Sequence, residues 1–454
     1  MSQKPSIPKG TRDFSPTVVL KRNYIMEHIR LVFQRYGFLP IETPSMENLS
    51  TLTGKYGEEG DRLIFKILNS GDFLKKVDSP EGLDVKQWIP KISDKALRYD
   101  LTIPFARYVV QHMNEIVLPF KRYQMQTVWR ADRPQKGRFR EFYQCDADVV
   151  GSSSLLCEIE LIQLYDAVFS ALKVPAIIKL NNRKILSGIA QVLGEEDRLI
   201  TMTVALDKLD KIGLEKVKEE MLVNGISQDA IEKIDPIINM KGTISEKFTQ
   251  LRKVLKDSSI GMDGISEIEE VFDKIKMLGL ESSILDFEIT LARGLNYYTG
   301  TIFEVEAQRV SMGSIGGGGR YDNLTGIFGL KDMPGIGISF GLDRIYLVME
   351  ELGLFPDLED NLSQILFVNF GHSEADFCLQ SLTQIRRAGI NAELYPDSSK
   401  LKKQMNYAHK KNIPFVVLVG EDEVALNLLT VKNMNNGSQS RYSVTELISL
   451  IHAQ

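Results

Sequence analysis

The chain has 454 residues, 43% hydrophobic and 25% charged, with a formal net charge of -5. That suffices for two to four domains with cores of their own, and the acidic balance excludes a protein that coats nucleic acid nonspecifically, because such binding scales with cationic contacts to phosphate. No stretch approaches the roughly 20 apolar residues of a membrane helix, and the N-terminus MSQKPSIPKGTRDF is too polar for a signal peptide, so a cytoplasmic location and no membrane partner are expected.

In chain order, apolar residues at helical spacing predict a helix from Leu20 to Tyr36. Alternating apolar residues predict strands in RLIFKI (62–67) and FKRYQMQTVWR (120–130), which together read as antiparallel sheet. SSLLCEIELIQLYDAVFSALK returns to helical spacing. From about Ile185 to Leu280 the sequence turns Lys/Glu-rich, with helical stretches such as EKVKEEML and ISEIEEVFDKIKML between Gly-containing breaks. Sheet character returns in ILDFEITLARGLNYYTGTIFEVEA, where Phe287, Ile289 and Leu291 alternate with polar neighbours. MGSIGGGGRYDNL then reads as a turn-rich crossing, because a glycine run is usually a permissive turn. After a helix ending near Gly353, LFPDLEDNLSQ has linker composition. Strands ILFVNF, NAELYP and PFVVLVG then alternate with helices ADFCLQSLTQIRRAG and LKKQMNYAHKK, before a hairpin-like pair and helix TELISLI, the pattern of a small α/β domain.

The densest chemistry lies in WRADRPQKGRFREFYQ (129–144). Between Lys121 and Arg140 stand seven Lys or Arg against one acid, Asp132. Guanidinium groups hold phosphate bidentately and stay charged, so repeated arginines suit a polyphosphate; a solvated basic hairpin is the alternative. Cys145, Cys157 and Cys378 are not spaced as pairs, and no Cys/His cluster has zinc-ligand spacing, so neither disulfides nor structural zinc are expected. The five histidines stand alone, and none is assigned a role.

Arg130 through Glu141 and Phe142 resembles motif 2 of class II aminoacyl-tRNA synthetases. IGISFGLDRIYLVME, with Arg344, resembles motif 3, and GFLPIETPSMEN, after Ile25, Ile29, Val32 and Tyr36, resembles motif 1. LARGLNYYTG around Arg293 and GGGGRYDNL around Tyr321 are similar to signature sequences of the histidyl-tRNA synthetase family. The resemblance runs from PKGTRDF at Pro8 into the C-terminal domain, and its motifs are specific in combination. It implies an α+β catalytic domain on an antiparallel sheet (1–184 and 276–355), a helical insertion (185–275) and a C-terminal α/β anticodon-binding domain (364–454). It also implies a homodimer, formed through motif 1.

The activity so implied is attack of the histidine carboxylate on the α-phosphorus of ATP, giving histidyl-adenylate and pyrophosphate, then transfer to the terminal ribose of the tRNA for histidine. The resemblance gives Arg130, Arg293 and Arg344 the catalytic charges, on the α-phosphate for Arg130 and Arg293 and the γ-phosphate for Arg344. Arg138 lies near the terminal phosphates and Phe142 stacks on adenine. Asp148 reads the imidazole, with Tyr297, Tyr298 and Tyr321 lining its pocket. Asp100 and Thr102 hold the α-amino group, Gln144 fixes the substrate backbone, and Arg130 and Arg293 also face histidine. Mg²⁺ accompanies ATP, ligated mostly by phosphate and water, and no metal site of the protein's own is implied. Each tyrosine also has a plain packing reading, and Arg293 a structural ion-pair reading.

Gly316 to Gly319 would let backbone approach the adenylate, with Arg320 and Tyr321 at the exit. Lys400, Lys402, Lys403, Lys410 and Lys411 read either as a solvated face or as contacts to the anticodon stem. Asn296 stands where the family usually has Asp, and Asp100 where many members have Glu. LRYDLT and the insertion SPEGLDVKQW look closer to the eukaryotic-like branch. Two alternatives are a regulatory subunit of ATP phosphoribosyltransferase, which generally lacks the anticodon-binding domain and erodes the signatures, and a histidine- or tRNA-sensing module. Both signatures and the C-terminal domain are present here, and no kinase-like segment is attached.

Overall fold

The computed structural model of the chain describes residues 4–75, 85–292, 297–357 and 363–453, apart from the side chains of 57–59, 85, 86, 210 and 211. The chain divides into two compact units, Met1–Phe14 with Lys21–Phe355, and Ser15–Leu20 with Pro356–Gln454. Arg293 and Asn296, most of SPEGLDVKQW and the middle of the linker LFPDLEDNLSQ lie outside the described residues.

The first unit is built on an eight-stranded sheet. Its strands are β1 (Leu39–Pro40), β2 (Phe120–Trp129), β3 (Glu141–Val150), β4 (Ala176–Asn182), β5 (Ile284–Phe287), β6 (Thr301–Ala307), β7 (Gly316–Arg320) and β8 (Gly335–Gly341). Their order is β1-β2-β3-β8-β7-β6-β4-β5, with antiparallel pairing everywhere except the outermost pairs β1–β2 and β4–β5. One face carries the core. Helix α1 (Pro16–Arg35) lays Ile25, Ile29, Val32 and Phe33 on it, at the i, i+4, i+7, i+8 spacing of a single helix face. They meet Tyr123, Cys145, Ala147 and Val149, the odd-numbered positions of β2 and β3. The rings of Phe33 and Tyr123 lie 5.3 Å apart. Because side chains alternate along a strand, the even-numbered residues of the same two strands face the other way, and those form the site.

Three more helices frame the sheet: α2 (Thr102–Gln111), α3 (Leu156–Ala171) and α4 (Leu342–Leu352), the last continuing directly from β8. Between β4 and β5 the chain forms seven α-helices from Arg183 to Leu278, the first capped by Asn182, whose side chain accepts from Lys184 N. Their buried residues, among them Val217, Phe248 and Val271, are continuous with the core of the sheet.

Three sequence expectations change. RLIFKI contributes only the two-residue strand Lys66–Ile67, paired with Lys95–Leu97, because the helix Gly57–Leu63 takes up its first residues. The strand after Ile284 stops at Phe287; Ile289 and Leu291 are buried, but their carbonyls accept from Asn181 Nδ2, at 2.9 Å each, instead of from a strand partner. The glycine run is not a turn. Gly316–Gly319 form interior strand β7, paired with β6 and β8.

The second unit has a five-stranded sheet in the order 392–394, 365–367, 415–418, 429–433, 439–442, parallel over the first three strands and antiparallel over the rest. Helices His372–Arg387, Leu401–Lys410 and Val444–His452 accompany it, with a short helix, Glu421–Leu426, that the sequence pattern misses. It has apolar clusters of its own around Phe367, Ile385 and Leu447, and around Leu366, Ala408 and Val416.

Candidate active site

The hairpin β2–β3 places Arg122, Gln124 and Gln126 opposite Asp148, Asp146 and Gln144. The row containing Asp148 continues across the sheet through Gly337 and Gly319. The two glycines leave space where side chains would stand. A Cβ on Gly337 would fall on the Asp148 carboxylate, and one on Gly319 would lie 2.7 Å from the Tyr298 ring. Neither needs a positive φ, so they are glycines for want of room.

Asp148 is buried. Its Oδ2 stands 2.8 Å from Arg122 Nη2, an ion pair without the alignment of a hydrogen bond, and its Oδ1 accepts from the Tyr321 hydroxyl. Burial pushes its carboxyl above the ordinary value, opposed by Arg122 and by the Tyr321 hydrogen bond. Asp146, two residues earlier on the same face, is pushed up to about 7 by burial, against Arg122 and with the Asp148 charge adding to the rise. Tyr297 completes a cluster of rings, 5.0 Å from Tyr298 and 6.1 Å from Tyr321. Among the described residues Asp100 Oδ2, Asp146 Oδ1, Gln144 Oε1 and Arg122 Nη1 are buried without a hydrogen-bond partner. Buried polar groups are rarely left so, and these mark a pocket made to receive polar atoms.

Asp100 closes one side of that pocket. Its Oδ1 accepts from Tyr56 Oη at 2.9 Å and from Ile103 N at 3.2 Å, at the start of α2, and Thr102 opens that helix. Burial raises the Asp100 carboxyl, and Arg130 is the strongest opposing influence. Arg130 sits at the end of β2, its Nε donating to Tyr99 O at 3.0 Å and its guanidinium 4.2 Å from the Tyr99 ring and 5.2 Å from the Phe142 ring. The expected residues Asp100, Thr102, Arg130, Phe142, Gln144, Asp148, Tyr297, Tyr298 and Tyr321 therefore gather around one face of the sheet.

The basic cluster itself divides. Lys121 and Arg122 belong to strand β2, where Lys121 pairs with Glu160 at 2.5 Å and Arg122 with Asp148. The loop 130–140 carries the rest, and Arg138 there lies 3.5 Å from Asp132 with its side chain 44% exposed. Arg344, at the start of α4, donates from Nε to Gly137 O at 2.8 Å and from Nη1 to Ser314 O at 2.6 Å, so it engages the same loop. Arg320 departs from its expected place at an exit. It is buried beneath β7, held by Glu158 of α3 through Nε at 2.6 Å and Nη2 at 2.7 Å, with Ser152 O and Ser154 O also accepting from it.

Sequence reasoning missed Arg122, Asp146, Tyr56 and Asp343. The acids at 146 and 148 share one face of a strand, and an arginine stands on the paired strand; that alternation was the available signal. Asp343 had none, since its partners Arg12 and Arg22 are more than 300 residues away.

Residues 91–345 match the histidyl-tRNA synthetase family and residues 364–454 the anticodon binding domain. The chain is 62% identical over 444 residues to a histidine–tRNA ligase of Christiangramia forsetii, and 58% identical over 461 residues to one of Flavobacterium johnsoniae, with 97% of each chain covered in both comparisons. Among solved structures it is similar to histidyl-tRNA synthetase from Nostoc sp. PCC 7120, with a TM-score of 0.80 at 32% identity over the whole of both chains. On these matches the chain belongs to the histidyl-tRNA synthetase family of class II aminoacyl-tRNA synthetases, whose enzymes activate histidine with ATP and charge tRNA.

Proposed function

We propose that the chain activates L-histidine with ATP and passes it to the tRNA for histidine through the pocket between Asp148 and Arg130. The observation that carries this reading is Asp148 itself, a buried carboxylate fixed by Arg122 and Tyr321 on the same sheet face as Arg130. No other common side chain presents two polar nitrogens in so small a ring, so an imidazole N–H donated to Asp148, with Tyr298 or Tyr321 meeting the second nitrogen, distinguishes histidine. The α-amino group falls to Asp100 and Thr102, and Gln144 holds the substrate backbone.

ATP then lies between Phe142, on which adenine stacks, and Arg344, which meets the γ-phosphate with Arg138 near the terminal phosphates. The histidine carboxylate forms a bond to the α-phosphorus as the bond to pyrophosphate breaks. Arg130 stabilises the charge that gathers on the α-phosphate oxygens, and Arg293, outside the described residues, is the second cation proposed there. The terminal ribose hydroxyl of tRNA next attacks the activated carbonyl and AMP leaves. Magnesium enters on the phosphates of ATP; among the described residues no group of three or more His, Cys, Asp or Glu could hold a metal.

The catalytic domain is proposed to comprise 1–184 and 276–355 with the insertion at 185–275, and the anticodon-binding domain 364–454. A homodimer through the motif 1 segment accounts for the exposure of Leu31 and Leu39 beside edge strand β1, and a cytoplasmic location follows from the substrates. No described helix is long and apolar enough to cross a membrane.

ATP–pyrophosphate exchange assayed with each of the twenty amino acids, followed by charging of total tRNA, tests the reading. Exchange dependent on histidine alone, with histidine charged, is expected. Absence of both exchange and charging would favour the regulatory-subunit alternative.

A further inference from the structure

The segment before α1 is packed against the ATP-side loop by several independent contacts. Gly10 O accepts from Arg140 N at 2.9 Å, and Lys9 O accepts from Arg140 Nη1 at 3.5 Å. Gly10, at φ +89°, comes so near that a Cβ there would lie 2.8 Å from Arg140 Cγ and 2.9 Å from Pro134 Cγ. Arg12 then stacks its guanidinium 3.2 Å from the ring centroid of Phe139, between the loop residues Arg138 and Arg140. Its Nη2 reaches Asp343 Oδ1 at 2.5 Å. Asp343 is the residue before Arg344, and its other oxygen accepts from Tyr143 N at 3.1 Å, next to Phe142. One arginine thus touches the loop that carries Arg138 and the carboxylate beside Arg344.

We propose that Arg12 is a positioning residue for ATP: it clamps Phe139 of the loop 130–140 to Asp343 of α4, so that Arg138 and Arg344 meet the polyphosphate at a fixed separation. The proposal rests on the reading that ATP occupies this side of the site. A loop held in place beforehand loses less freedom when it binds a ligand, and the effect appears in apparent affinity. The planar guanidinium is suited to the task, since it can stack on a ring through its face while donating along its edge; an ammonium keeps the charge and loses the stack. Histidine recognition lies elsewhere, at Asp100, Asp148 and Tyr321, none of which touches Arg12. Arg22 Nη1 holds the same Asp343 oxygen at 2.5 Å, so the link between α1 and α4 survives without Arg12.

The test is histidine-dependent pyrophosphate exchange by Arg12→Ala, Arg12→Lys, Phe139→Ala and the Arg12→Ala/Phe139→Ala double variant of the full chain, with thermal unfolding as a check on folding. Arg12→Ala is expected to raise KM for ATP about tenfold with KM for histidine within about twofold, as loss of preorganisation on one substrate alone requires. Arg12→Lys should recover part of the loss, and the double variant should be no worse than Arg12→Ala, because both changes break one clamp. Equal rises in both KM values, strict additivity, or an unchanged KM for ATP would each overturn the proposal. Absence of histidine-dependent exchange in the parent chain would instead overturn the reading on which it rests.

Discussion

Arg122 and Asp148 face each other across β2 and β3 at 2.8 Å, with 0% and 3% of their side chains exposed. Removing two charges from water to this degree is costly, and a pair of apolar residues of similar size would often be as stable or more so. The pair is therefore better understood as holding a carboxyl group in place for a ligand than as a source of stability. Tyr321 and Gly337 give the same indication, since one donates to that carboxylate and the other makes room for it.

Breaking the pair from one side should be harsh and removing both charges mild. Arg122→Met strands Asp148 and is expected to cost about 3–5 kcal/mol in urea denaturation, whereas Arg122→Met with Asp148→Asn should recover most of that. The recovered double variant should still fail to activate histidine, which separates folding from recognition. A double variant as unstable as the sum of its singles would show that the pair serves the fold.

Asp146 gives the pH dependence a sign. Its carboxyl is raised from 3.8 to about 7 in the folded chain, so between those values the folded protein holds a proton that the unfolded chain has released. The contribution of this group to stability is fully present below about pH 4 and is lost as pH rises towards 7. Asp146→Asn cannot ionise and escapes that loss, so its stability relative to the parent should increase from pH 4 to pH 8, by at most about 4 kcal/mol at 1.36 kcal/mol per unit. Urea midpoints of both proteins across that range give the measurement. Parallel curves would mean that Asp146 ionises as an ordinary exposed acid does.

What the sequence revealed depended on how far its patterns reach. The periodicity of α1 and the alternation along β2 are local; β2 ends within one residue of the expected strand, and α1 covers the expected face but begins four residues earlier, at Pro16. Asp148 and Tyr321 were legible only through motifs, because nothing near either residue signals that their side chains meet across 173 positions. Arg122 was visible as a cation but was counted with the loop arginines, although its strand parity directs it at Asp148. The glycine run misled for a physical reason. Glycine is read as a turn former because it tolerates positive φ, but in β7 and β8 it is present because Tyr165, Tyr298, Tyr321 and Asp148 occupy the volume of the missing side chains. That demand comes from neighbours far away in sequence, which no local rule registers.

Gly337 turns this into a measurement. Its backbone lies in an ordinary extended strand, so Gly337→Ala incurs no conformational strain, and any loss comes from the collision of the new methyl group with the Asp148 carboxylate. Overpacking of this kind costs about 1–3 kcal/mol when neighbours yield, and here the group that must yield is the one proposed to read imidazole. Gly337→Ala is therefore expected to remain folded while KM for histidine in pyrophosphate exchange rises by about a hundredfold or more, since a displaced buried acceptor leaves the substrate N–H unpaired. KM for ATP should move far less. Gly326→Ala is the matched control: with nothing within 4 Å of the added Cβ, it should change stability by no more than about 0.5 kcal/mol and leave both KM values unaltered. If Gly337→Ala folds and binds histidine normally, the carboxylate has room to spare, and its placement against the glycine strand has no part in recognition.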